Sequence, residues 1–167
     1  MTLQLVILAL VSVQRIGELI WSRANMARLL AKGGHEVGSN HYPLIVAVHV
    51  VWLAGLWWLA PELPVNWVFL GLYLVLQVFR AWILMSLGRR WTTRVVVVPG
   101  ETLVKRGPYK FLNHPNYVLI VCEIACLPLV FGLWEFALLF SLLNGILLWW
   151  RIRVENAALS PLREREG

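Results

Sequence analysis

Arg151 and Glu155 stand four residues apart in LLWWRIRVENAAL, so a cation and a carboxylate share one helical face, with Asn156 beside them. Alone, such a pair is a surface ion pair of little consequence. It gains weight from a second polar cassette, GPYKFLNHPNY (107–117), which puts two prolines, two tyrosines, two asparagines, a glycine, a lysine and a histidine directly before an apolar run. Joined at one membrane level, the cassettes offer a guanidinium to steady a negative oxygen and a carboxylate to accept hydrogen bonds or a proton.

The elements that must carry these groups are membrane helices. The chain has 167 residues, 59% hydrophobic and 14% charged, against roughly a quarter charged in soluble domains. Spanning helices need about 20 apolar residues. Five stretches qualify, at about 3–21, 43–61, 66–87, 115–132 and 134–152, which predicts one domain over 1–167, an all-α integral membrane protein. The first stretch lacks a basic start and a small-residue cleavage site and reads as a retained helix. Pro43 and Pro115 suit helix first turns, and Pro128 is expected to kink the far end of the fourth helix. A short turn between helices 4 and 5 brings residues near 114 and 152 together.

Of the 15 Lys and Arg, 13 fall in 23–32, 89–110 and 151–165; Arg15 and Arg80 are the exceptions. The connection PELPVN and the turn at 132–135 have none. The positive-inside rule therefore puts the N-terminus outside and the C-terminus and the cassettes in the cytoplasm. Between helices 3 and 4, VVVVPGETLVKRG predicts a small cytoplasmic β-hairpin, with β-branched residues flanking a Pro-Gly turn. The tail PLREREG reads as a frayed, solvated end.

Further polar groups lie inside the apolar runs, where ionisable side chains face protein or water. Arg15, Glu18, Ser22 and Asn25 recur on one face of helix 1. They read either as a structural ion pair closing the bundle or as the wall of a binding cavity. Helix 3 carries Gln77 and Arg80, the latter a candidate for a polar ligand group, and helix 4 carries Glu123, read as a structural partner. His35, Glu36 and His41 lie in a glycine-rich link, and His49 reads as a satisfied interior histidine. Cys122 and Cys126 read as packing residues; a disulfide at that spacing is geometrically unfavourable.

The pieces Gly107-Pro108-Tyr109, His114-Pro115-Asn116-Tyr117 and Arg151-Ile152-Arg153-Val154-Glu155-Asn156-Ala157-Ala158-Leu159 resemble the isoprenylcysteine carboxyl methyltransferase family of membrane methyltransferases over about residues 85–160. The resemblance implies S-adenosylmethionine in a cytoplasmic pocket formed by Val104, Gly107, Tyr109, His114, Pro115, Tyr117, Glu155 and Asn156, with no metal. It assigns Arg151 and Glu155 to catalysis. A lipophilic acceptor drawn from among the membrane lipids would meet Arg15, Glu18, Asn25 and Arg80. Asn113 stands where the family usually has Arg, and Asn156 where it has a second Glu. The N-terminal third, with its R-x-x-E-x-x-x-S-x-x-N pattern and the later H-Y-P, resembles a bacterial branch that O-methylates alkylpyrones or alkylresorcinols. A polyketide-derived phenolic or pyrone acceptor is therefore expected, with carboxyl methylation of an isoprenylcysteine-like substrate as the alternative. Readings from other classes are an NADPH-dependent reductase and a non-catalytic carrier.

The composition excludes other chemistry. The chain contains no aspartate, no Gly-rich phosphate loop and no Cys/His cluster with zinc spacing. The basic zones lack the interleaved aromatics of a strand-binding groove, so no nucleic-acid partner is expected.

Overall fold

The computed structural model describes residues 2–102 and 104–164; the side chains of His41 and of residues 159–164 fall outside that description. Five helices follow the apolar runs: α1 Leu3–Ala31, α2 Tyr42–Leu59, α3 Trp67–Leu87, α4 Pro115–Val130 and α5 Trp134–Glu164. Four are long and apolar enough to cross a membrane, and α4 is a shorter apolar helix. Its 16 residues reach about 24 Å, less than the hydrocarbon core of about 30 Å.

Local chemistry sets the ends. Asn66 caps α3 by accepting from the N–H groups of Val68 at 3.1 Å and Phe69 at 3.3 Å. Pro115 begins α4, where its missing N–H leaves no bond unmade. Gly132, at φ +70°, closes α4 and turns the chain directly into α5, so α4 and α5 form a tight hairpin. Both outer helices run past their apolar stretches. α1 extends to Ala31. α5 extends through Glu164 and so takes in the start of the tail; residues 165–167 lie outside the described residues.

The predicted β-hairpin is corrected. Strand β2, Val95–Val97, pairs antiparallel with β1, His35–Val37, from the α1–α2 link, in the register His35↔Val97, Glu36↔Val96 and Val37↔Val95. The turn at Gly100 does form, with Glu101 N–H donating to Val98 O at 3.2 Å. Its return arm is diverted: Arg90 Nη1 donates to Thr102 O at 2.8 Å, and Leu103 lies outside the described residues. The register of β2 is fixed instead by Arg94, whose Nη1 lies 2.9 Å from both carboxylate oxygens of Glu36. β propensity marked the strand correctly, but it names no partner.

The apolar core joins Leu8 and Val11 of α1, Trp52 and Leu56 of α2, Tyr73 of α3, Ile124 and Leu127 of α4, and Phe140 of α5. Large apolar side chains such as Leu10, Val78, Leu138 and Ile146 are exposed, as a lipid-facing surface requires. Buried charge is concentrated inside the bundle. Glu123 accepts from Arg80 Nε at 2.8 Å, from Arg15 Nη2 at 2.8 Å and from Gln77 Nε2 at 2.9 Å. Arg80 Nη1 also reaches Glu18 at 2.8 Å. Two cations and two carboxylates thus neutralise one another, and pairing is what makes such burial tolerable.

Candidate functional site

The start of α4 and the C-terminal half of α5 face one cavity of about 780 Å³, walled on other sides by the segment before β2, by β2 itself and by residues leading into α4. Helical spacing aims Tyr117 at α5, and the four-residue step from Arg151 to Glu155 aims both back. Tyr117 OH donates to Glu155 Oε2 and accepts from Arg151 Nε at 2.8 Å. His114 Nδ1 lies 3.4 Å from Glu155 Oε1, and its Nε2 lies 3.1 Å from Asn156 Oδ1. The His114 and Tyr117 rings stack with centroids 5.3 Å apart. Arg151, nearly buried, donates Nη2 to Thr93 O at 2.6 Å, and its Nη1 has no hydrogen-bond partner among the described residues.

The electrostatics follow from the lining. Arg90 and Arg94 border the cavity but are engaged by Glu101 and Glu36. Lys105, Lys110 and Arg151 line the same cavity as Glu155. Burial, aided by the charge of Glu155, pushes the Tyr109 phenol well above the usual tyrosine range. Such a wall suits a ligand with both a cationic and an anionic part.

Of the residues expected at the site, Val104, Tyr109, His114, Tyr117, Arg151 and Glu155 line the cavity. Gly107, Pro115 and Asn156 stand behind it. Gly107, at φ +58°, presses against Ser86 and Trp82 so closely that a Cβ would collide with the serine. Pro115 is buried at the head of α4, and Asn156 reaches the site through His114.

Arg15, Glu18 and Arg80 do not line the cavity; they belong to the ion network around Glu123. Asn25 is buried against its wall, donating Nδ2 to Trp91 O at 2.8 Å. His49 Nδ1 lies 2.8 Å from Ile45 O, the local partner expected of an interior histidine. Cys122 and Cys126 are free. Sequence reasoning missed Thr93 and the Glu36–Arg94 pair. The only available signal was the crowding of hydroxyl and basic groups in RRWTTR ahead of the valine run.

Residues 69–161 match the model of the "Isoprenylcysteine carboxyl methyltransferase (ICMT) family". The chain is 39% identical over 159 residues to the uncharacterized protein YpbQ of Bacillus subtilis (strain 168), a match covering 92% of this chain and 94% of that one. No solved structure matches.

Proposed function

The chain belongs to the isoprenylcysteine carboxyl methyltransferase family, and from that premise we propose that this integral membrane methyltransferase uses S-adenosylmethionine to methylate an oxygen of a lipophilic acceptor drawn from the bilayer. The observation that carries the reading is the convergence of His114, Tyr117, Arg151 and Glu155 on one cavity. Their segments lie within the matched residues. The cofactor-binding part is residues 85–160 of a single domain, and it faces the cytoplasm of a bacterial inner membrane, on the side of the three basic zones.

The lining fits the cofactor. Glu155 offers a carboxylate to ribose hydroxyls or an ammonium, Lys110 offers a cation to a carboxylate, and Tyr109 and Tyr117 offer ring faces to a sulfonium. When bound, S-adenosylmethionine supplies an electrophilic methyl group. The work left to the chain is to align the acceptor oxygen, keep water out and manage one proton. Arg151 Nη1 is the donor for the acceptor oxygen. The His114–Glu155 pair takes the proton. A carboxylate acceptor needs no base, whereas a phenol or enol gains from one, so this pair supports a polyketide-derived phenolic or pyrone lipid.

The test is heat protection of the purified protein, then transfer of label from methyl-labelled S-adenosylmethionine to extracted bacterial lipid. Protection by S-adenosylhomocysteine but not NADPH, with label in an aryl or enol ether, is the expected result. A labelled methyl ester would replace the acceptor assignment with carboxyl methylation. Protection by NADPH alone, or no labelled lipid, would overturn the methyl-transfer reading.

A further inference from the structure

Thr93 lies between α3 and β2, and its polar groups reach three helices. Its N–H donates to Ser22 Oγ of α1 at 2.8 Å. Its hydroxyl meets Ser22 Oγ at 2.9 Å and Tyr42 OH, at the head of α2, at 3.0 Å. A threonine hydroxyl donates once and accepts as well, so both contacts are satisfied together. Its carbonyl accepts from Arg151 Nη2 of α5 at 2.6 Å. The next residue adds a second fixing point: the Arg94 guanidinium lies 4.2 Å from the Tyr42 ring centroid while it grips Glu36.

A guanidinium is planar, so two anchored nitrogens fix the direction of the third. For Arg151 the anchors are Tyr117 OH, on α4, and Thr93 O. Preorganised donors are effective because they need not reorient during the reaction. The position of the Thr93 carbonyl therefore bears on the donor proposed for the acceptor oxygen.

We propose that Thr93 is a positioning residue for methyl transfer. Through its hydroxyl and N–H, Ser22 and Tyr42 hold the carbonyl that orients Arg151. The inference rests on the role given to Arg151 above. Ser22 and Tyr42 lie outside the matched residues 69–161, so this junction ties the first two helices to the reaction.

The experiment uses the full chain in lipid vesicles with labelled S-adenosylmethionine and extracted bacterial lipid. Thr93→Val keeps the shape and deletes the hydroxyl. Turnover is expected to fall roughly 10- to 100-fold, the scale of a small misplacement at a reacting centre, while S-adenosylhomocysteine affinity stays within about twofold. Thr93→Ser should recover most of the turnover. In an Arg151→Ala background, Thr93→Val should change the residual rate by less than about twofold, as residues acting through one group are not additive. Should Thr93→Val fail to fold, Ser22→Ala removes the same support from the α1 side and should show the same split between turnover and affinity. Wild-type turnover in the folded variant, an undiminished effect without Arg151, or parallel losses of affinity and thermal stability would each overturn the inference. If wild-type protein transfers no label, the parent reading falls, and that outcome is visible before any variant is made.

Discussion

Arg151 commits Nε and Nη2 to protein oxygens, whereas Glu155 collects contacts from Tyr117 and His114, so the two should fail differently when removed. Arg151→Ala is expected to lower turnover by about 10²- to 10³-fold, as loss of one preorganised donor does, with little change in S-adenosylhomocysteine affinity. Glu155→Ala is expected to weaken that affinity by about tenfold or more, the loss of a charge-assisted bond. Calorimetry beside a rate assay separates them; identical losses in both measurements would contradict the division of roles. Tyr109 supplies a pH test. Its folded pKa is raised by burial and by Glu155. Its share of stability is therefore complete below the unfolded value of about 10 and is lost as pH climbs towards the folded one. Phenolate absorbance, wild type minus Tyr109→Phe, should stay flat up to about pH 10; ionisation at the ordinary value would put Tyr109 in water. At this scale the sequence revealed groups whose spacing is local. Arg151 and Glu155 share a helical face, and His114 and Tyr117 open the neighbouring helix. Thr93 was invisible because its partners are 51, 58 and 71 positions away, and no periodicity spans such separations.

Two glycines show how the elements are joined. A Cβ on Gly132 would meet nothing within 4 Å, but φ is +70°, so Gly132→Ala should cost only backbone strain, roughly 1–2 kcal/mol. A Cβ on Gly55 would lie 2.6 Å from Phe136 Cζ, so Gly55→Ala should push α2 from α5. Unfolding in detergent distinguishes the causes: Phe136→Leu should relieve Gly55→Ala and leave Gly132→Ala unrelieved. Equal rescue of both would show that the α4–α5 turn is not fixed by its backbone. The helices themselves were legible from apolar length, and the starts of two of them from Pro43 and Pro115. The β pairing was not, since four valines announce a strand but the partner is chosen by Glu36, far upstream, through its grip on Arg94.

At the scale of the whole molecule, charge placement was the clearest signal, because 13 of 15 basic residues cluster in three zones. It predicts that a cysteine substituted at Glu62 is labelled by an impermeant reagent from outside intact cells, and one at Lys110 only after the inner face is opened. The reverse pattern would turn the cavity away from a cofactor made in the cytosol. The ion network within the bundle was only half legible: Arg15, Glu18, Arg80 and Glu123 were each conspicuous, but their convergence depends on three helices packing at one depth. That convergence bears on biogenesis. A lone charge at the centre of a membrane helix costs about 2.5–3.5 kcal/mol to insert. During synthesis α1 emerges with Arg15 and Glu18, which lie 3.3 Å apart on the same helix and can shield each other. α3 then brings Arg80, whose bond to Glu18 leaves its Nε and Nη2 waiting for Glu123. Glu123 arrives only with α4, so a chain arrested after α3 should be held at the insertion machinery, and the arrival of α4 should release the first four helices into lipid as a group.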